Sequence, residues 1–118
     1  MSMMIDWNID IIFETSEIRD EHMDTICDLV RESKLFHPDE FYCADVGCVS
    51  VTTYTTYWSA EKEMEDLLHK IAVATPCSIV SYHQAEGGTQ YKDVYEGHGI
   101  VRYIPVIHWV QSSCEDRY

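Results

Sequence analysis

Basic residues are what this 118-residue sequence has least of. Eight Lys and Arg stand against 21 Asp and Glu, a formal charge of −13 with a pI near 4.6. Binding DNA or RNA through phosphates needs clustered Lys and Arg, as does docking on an anionic membrane, so both are set aside as direct partners. No apolar run approaches the length of a membrane span. The opening MSMMIDWNID has neither the basic segment nor the apolar run of a secretory leader. Five cysteines, Cys27, Cys43, Cys48, Cys77 and Cys114, are odd in number and irregular in spacing, which excludes an ordinary disulfide framework. The expectation is one domain, 1–118, in a reducing cytoplasm. No internal repeat or low-complexity segment is present.

What the chain does have is clear periodicity. From Ile5 to Glu14, Ile5, Trp7, Ile9, Ile11 and Phe13 alternate with mostly polar residues, the period of a half-buried strand. Thr15 and Ser16 offer a helix cap, and Met23, Ile26, Cys27 and Val30 make one apolar stripe on a helix over roughly 17–33. Lys34 to Asp45, broken by Pro38, reads as a loop whose Phe41, Tyr42 and Cys43 can tuck against the core. Gly47 to Trp58 is rich in Val, Thr and Tyr with no charge on either face, which predicts a central or covered strand. Ser59 caps a second helix whose Met64, Leu67, Leu68, Ile71 and Ala72 follow helical spacing until Pro76 stops it. Cys77 to Ala85 and Thr89 to Tyr95 read as strands around a turn at Glu86-Gly87-Gly88. A second turn covers Glu96 to Gly99, and Pro105 interrupts the last apolar segment, Gly99 to Trp109, as an edge or break. The tail from Gln111 to Tyr118 is polar.

The predicted order is β-α-β-α-β-β, with one further strand available after the second turn. Two helices with single apolar stripes need a sheet face to cover. The expected fold is therefore α+β: a ferredoxin-like α/β sandwich, an antiparallel sheet with both helices on one face. The run from Thr55 to Gly99, TTYWSAEKEMEDLLHKIAVATPCSIVSYHQAEGGTQYKDVYEGHG, resembles the small ferredoxin-like domain of the YubB-like phage and plasmid proteins. The resemblance rests on the aromatic strand end at Trp58-Ser59, one amphipathic helix to Thr75-Pro76, the aromatic strand Ile79 to Tyr82, and the turn at Glu86 to Gly88. Tyr91 and a glycine turn at Gly97 and Gly99 complete it. It covers under half the chain, with Ala60 where the pattern has proline and Asp93 where it has glycine. It implies a phage or mobile-element origin and brings no catalytic residues.

Chemistry-bearing motifs are sparse. Cys43 and Cys48, with His37 nearby, form one loose pair where a zinc site wants two, and Glu21-His22 with Asp24 lacks the second histidine of a helical zinc motif. The expectation is no metal and no cofactor. Cys77 with His83 or His108 is the one nucleophile–base pairing to consider; Cys27 belongs to an apolar stripe, and His83 and His98 read as surface histidines. Glu86-Gly87-Gly88 leads into a strand, so it offers no helix N-terminus to a phosphate. Tyr54, Tyr82, Tyr91, Tyr95 and Tyr103 lack the clustered Lys and Arg that an RNA-binding sheet sets among its aromatics, and suit a protein interface or homodimer instead.

The acidic surface remains. Twelve of the 21 acids fall in residues 1–45, against three basic residues there. Glu17, Glu21, Asp24 and Asp28 share one helix face, Asp20 and Glu32 widen it, and Asp39 and Glu40 follow in the loop. Such a row either keeps the protein soluble or imitates a phosphate backbone toward a basic partner. These eight acids are the candidate partner-binding residues. The function they point to is a non-enzymatic, nucleic-acid-mimicking inhibitor of a host defence complex, of anti-CRISPR or anti-restriction type. The alternatives are a small Cys/His-dependent enzyme or metal-binding factor, and a homo-oligomeric structural module.

Overall fold

Residues 5–12 form the strand around which the sheet is built. In this computed structural model, which describes residues 4–55, 60–86, 88–97 and 99–103 and no side chain at 101 or 103, strand β1 (Ile5–Ile12) buries every second residue. Trp7, Ile9 and Ile11 are each withdrawn from solvent. The end of the Val/Thr/Tyr-rich run at Trp58, the Ser59 cap, Gly87, His98, His108, the break at Pro105, the polar tail and Cys114 lie outside the described residues.

Helix α1 (Ser16–Ser33) starts at Thr15, whose hydroxyl accepts the Ile18 N–H at 3.1 Å. It stops at Lys34, which takes a left-handed conformation at φ 59° and donates its N–H to the Arg31 carbonyl. A 3-10 turn (Pro38–Glu40) is closed reciprocally: the Asp39 N–H donates to His37 Nδ1, and the Glu40 carboxylate accepts the His37 N–H.

Here the sequence expectation needs correction. The segment read as a loop contains an edge strand, β2 (Tyr42–Asp45), so the order β-α-β-α-β-β omits a strand. Tyr42 and Cys43 are exposed instead of tucked in, while Phe41 does pack against the core and meets Phe36 edge-on. A tight turn carries β2 into β3 (Cys48–Thr55). Gly47 sits in it at φ 76°, and a Cβ there would lie 2.7 Å from the Phe13 carbonyl oxygen. Only glycine tolerates that combination.

Helix α2 (Ala60–Ala74) buries Met64, Leu67, Leu68, Ile71 and Ala72 as its spacing predicts, and ends where the Thr75 hydroxyl donates to the Ile71 carbonyl, just before Pro76. Strands β4 (Ser78–Ala85), β5 (Gln90–Glu96) and β6 (Gly99–Tyr103) follow. The structure is therefore α+β: the described residues form two α-helices and a six-stranded sheet in the order β2-β3-β1-β4-β5-β6, every neighbouring pair antiparallel. Ile26 and Val30 of α1 and the apolar stripe of α2 join the inward residues of β1 and β3 in one core.

Strand β3 is internal, as expected, but its outer face is covered only at Ser50, which donates to Asp10. Val49 and Val51 point into the core, whereas Thr52 and Tyr54 on the other face are exposed. The tyrosines divide in the same way. By register, Tyr91 and Tyr95 share the face of Trp7 and Ile9, and Tyr54 and Tyr82 share the opposite one. They do not form a single tyrosine surface. Among the described residues, no helix is long and apolar enough to cross a membrane.

Candidate functional site

All eight acids singled out in the sequence are exposed. Helix α1 aligns Glu17, Asp20, Glu21, Asp24, Asp28 and Glu32 on its outward side, and the 3-10 turn holding Asp39 and Glu40 packs beside it. Arg19 reaches Asp20 at 3.1 Å and Arg31 reaches Asp28 at 3.2 Å. Both are surface pairs, worth at most about 1 kcal/mol each. Asp39 and Glu40 have local structural work through their contacts with His37.

The acidic surface extends onto α2, which sequence reasoning did not include. A groove of about 380 Å³ runs between the helices; Leu29, Leu35 and Leu67 contribute apolar lining, and Glu32, Glu63 and Asp66 line it with carboxylates. Together the two helices carry ten acids and four basic residues. Lys62 is tied to Asp66 at 2.8 Å, and that hydrogen bond raises the Lys62 pKa.

A second constellation lies beneath α2, and the sequence reading missed it. The register of β4, β5 and β6 sets Ser81 opposite Asp93 and Asp93 opposite Arg102, with His83 opposite Tyr91. All of these positions share the face that α2 covers. Asp93 is wholly buried, and a buried carboxylate needs a partner. Arg102 supplies it as a fork, Nε to Oδ1 at 2.7 Å and Nη2 to Oδ2 at 2.9 Å. The same Nη2 also donates to Glu65, and the guanidinium lies 5.0 Å from the Tyr91 ring centroid. The hydrogen bond to Asp93, above all, raises the Arg102 pKa still further.

His83, expected at the surface, is 2% exposed. Its ring stacks on Trp7 with centroids 4.5 Å apart, and Trp7 is itself fixed by donating to the Thr55 hydroxyl. Nε2 of His83 lies 2.8 Å from Glu61, and Nδ1 faces Asp93 at 3.9 Å. Three buried polar atoms here have no hydrogen-bond partner among the described residues: Ser81 Oγ, His83 Nδ1 and Tyr95 Oη. Burial, and next the nearby Asp93 carboxylate, raise the Tyr95 pKa well above its ordinary value. Glu61, Glu65 and His83 each offer a ligand atom, and these atoms lie within 4.8 Å of one another.

One sequence signal pointed this way. Glu61 and Glu65 continue the helical row of Leu68 and Ala72, so they had to sit at the inward edge of α2. Asp93, which departs from the glycine of the resembled pattern, is the buried centre of the cluster.

The nucleophile pairing of Cys77 with His83 does not form. Cys77 lies just before β4 and His83 six residues further along the extended chain, roughly 20 Å apart at about 3.3 Å per residue. The Cys77 thiol lies 3.2 Å from the Thr75 hydroxyl, and burial raises its pKa, the reverse of activation. Cys43 and Cys48 are both free thiols. No family model, no curated protein and no solved structure matches this chain.

Proposed function

We propose that this protein is a small, non-enzymatic inhibitor or regulator that presents the acidic side of α1 to a basic nucleic-acid-binding surface. The partner would be a host nucleoprotein or nucleic-acid-handling complex, of the CRISPR-effector or restriction-enzyme kind, and the place of action the cytoplasm. One observation carries the reading. Six carboxylates on one rigid helix, with Asp39 and Glu40 beside them, all face solvent, and only Arg19 and Arg31 on that helix offset them. Carboxylates held on one scaffold attract Lys and Arg over a Debye length of about 8–10 Å at physiological salt, so the contact is steered and salt-sensitive.

The fold we infer for the first six elements is ferredoxin-like, with both helices on one face of the sheet and β5 and β6 added beyond β4. In this reading the sheet and α2 hold α1 in place, and the contact belongs to Glu17, Asp20, Glu21, Asp24, Asp28 and Glu32. The resemblance to the YubB-like proteins implies the same mobile-element setting. The test is a triple charge reversal, Glu21→Lys, Asp24→Lys and Asp28→Lys. It is expected to abolish capture of the basic partner at low salt and leave the far-ultraviolet spectrum unchanged. Capture that survives in the folded triple variant would overturn the proposal.

A further inference from the structure

An ion-pair network alone leaves two features of the cluster beneath α2 unexplained. The first is charge. Glu61, Glu65 and Asp93 bring three carboxylates, and among the described residues Arg102 is the one guanidinium that meets them. Asp93 is fully buried and held by Arg102, while Glu61 and Glu65 are partly exposed; three carboxylates against one guanidinium leave a net of two negative charges beside the buried His83 ring. The second is His83. Its ring is almost entirely buried and clamped on Trp7, yet Nδ1 makes no hydrogen bond among the described residues and faces Asp93 at 3.9 Å.

We propose that Glu61, Glu65 and His83 form a binding site for one divalent first-row transition-metal ion of the zinc–manganese class. Glu61 and Glu65 stand one helical turn apart on α2, and His83 rises to them from β4. Nε2 of His83, already 2.8 Å from Glu61, is the ligating nitrogen. That assignment places the ring proton on Nδ1, facing Asp93, with Arg102 holding Asp93 by both oxygens. A ligating histidine backed by a carboxylate through its other nitrogen is the usual outer arrangement of such sites.

Ligand bonds of about 2.0–2.2 Å bring donor atoms to roughly 3–3.6 Å of one another. The widest separation, at most 4.8 Å, therefore needs to close by roughly 1–2 Å, while the Glu61–His83 contact at 2.8 Å opens slightly, both within reach of rotamer changes at two glutamates. Arg102 engages one oxygen of Glu65 and leaves the other for the ion. A divalent ion brings the cluster to neutrality. The imidazole argues against magnesium and calcium, which take oxygen ligands. A cavity of about 350 Å³ lined by Glu61, His83, Tyr91 and Arg102 among others gives the ion a route in and room for water ligands.

The experiment is calorimetric titration of chelator-treated, full-length protein with zinc chloride and, separately, manganese chloride. Because thiols also take zinc, the titration is repeated on the Cys43→Ser, Cys48→Ser protein. One equivalent of metal is expected in both, with affinity at least about tenfold weaker in Glu61→Gln. Glu61 is 40% exposed and does not touch Arg102, so this variant removes a ligand and leaves the ion pair whole. On the unaltered protein, cobalt(II) is expected to shift the His83 ring resonances strongly. The proposal is overturned by any of three results. These are no metal uptake, uptake that disappears with the two cysteines and is unchanged in Glu61→Gln, and His83 resonances untouched by cobalt. The last would leave His83 as a bridge between two carboxylates and nothing more.

Discussion

Asp93 receives two hydrogen bonds from Arg102, one to each carboxylate oxygen, and has no surface of its own in contact with solvent. The pair is asymmetric, because Arg102 is 38% exposed and Asp93 is not exposed at all. Removing the guanidinium strands a carboxylate with no access to water. Arg102→Met is therefore expected to lower unfolding free energy by about 3 kcal/mol. Asp93→Asn leaves a cation that water and Glu65 still satisfy, and is expected to cost about 1–2 kcal/mol. Urea denaturation of the two variants checks the order; equal losses would mean that burial of Asp93 is not what makes the pair matter.

Tyr95 makes stability fall at alkaline pH. Its folded-state pKa is raised by burial and then by Asp93, so the folded protein keeps a proton that the unfolded chain releases near pH ~10. The stabilisation is complete below that pH and is lost as pH rises above it, with a slope approaching about 1.4 kcal/mol per pH unit. Tyr95→Phe is expected to remove this part of the slope. Urea midpoints measured from about pH 9 to pH 11 in the two proteins report the difference, and parallel curves would contradict it.

Thiol reactivity should follow burial. Cys43 is exposed on the edge strand β2, whereas burial, as the leading cause, raises the pKa of both Cys27 and Cys77. Alkylation at mildly alkaline pH, read by peptide mass mapping, is expected to label Cys43 at least about tenfold faster than Cys77. Comparable rates would contradict the packing around Thr75 and Cys77.

Local periodicity made much of the fold legible. The alternation of Ile5 to Phe13 and the stripe from Met64 to Ala72 are repeated over enough residues to need no knowledge of their neighbours. Strand β2 has no such signal: its four residues are all exposed, and it exists because the Gly47 turn folds it back onto β3. The acidic face of α1 was legible for the same reason as its stripe, since both follow from helical spacing. The cluster beneath α2 was not. Whether His83 faces in or out depends on the register between β1 and β4, and the bond between Asp93 and Arg102 depends on pairing across the β5–β6 turn. Those are tertiary facts that a single strand does not encode.

In the proposed role, the carboxylates of α1 compete with DNA for a basic surface. The most direct measurement is the anisotropy of a labelled DNA duplex bound to purified restriction and CRISPR-effector complexes, titrated with this protein at low and at high salt. Wild-type protein is expected to displace the duplex from at least one such complex, less effectively as salt rises, while the Glu21→Lys, Asp24→Lys, Asp28→Lys protein leaves it bound. Displacement by the triple variant equal to that of wild type, or none by wild type from any complex tested, would contradict that role.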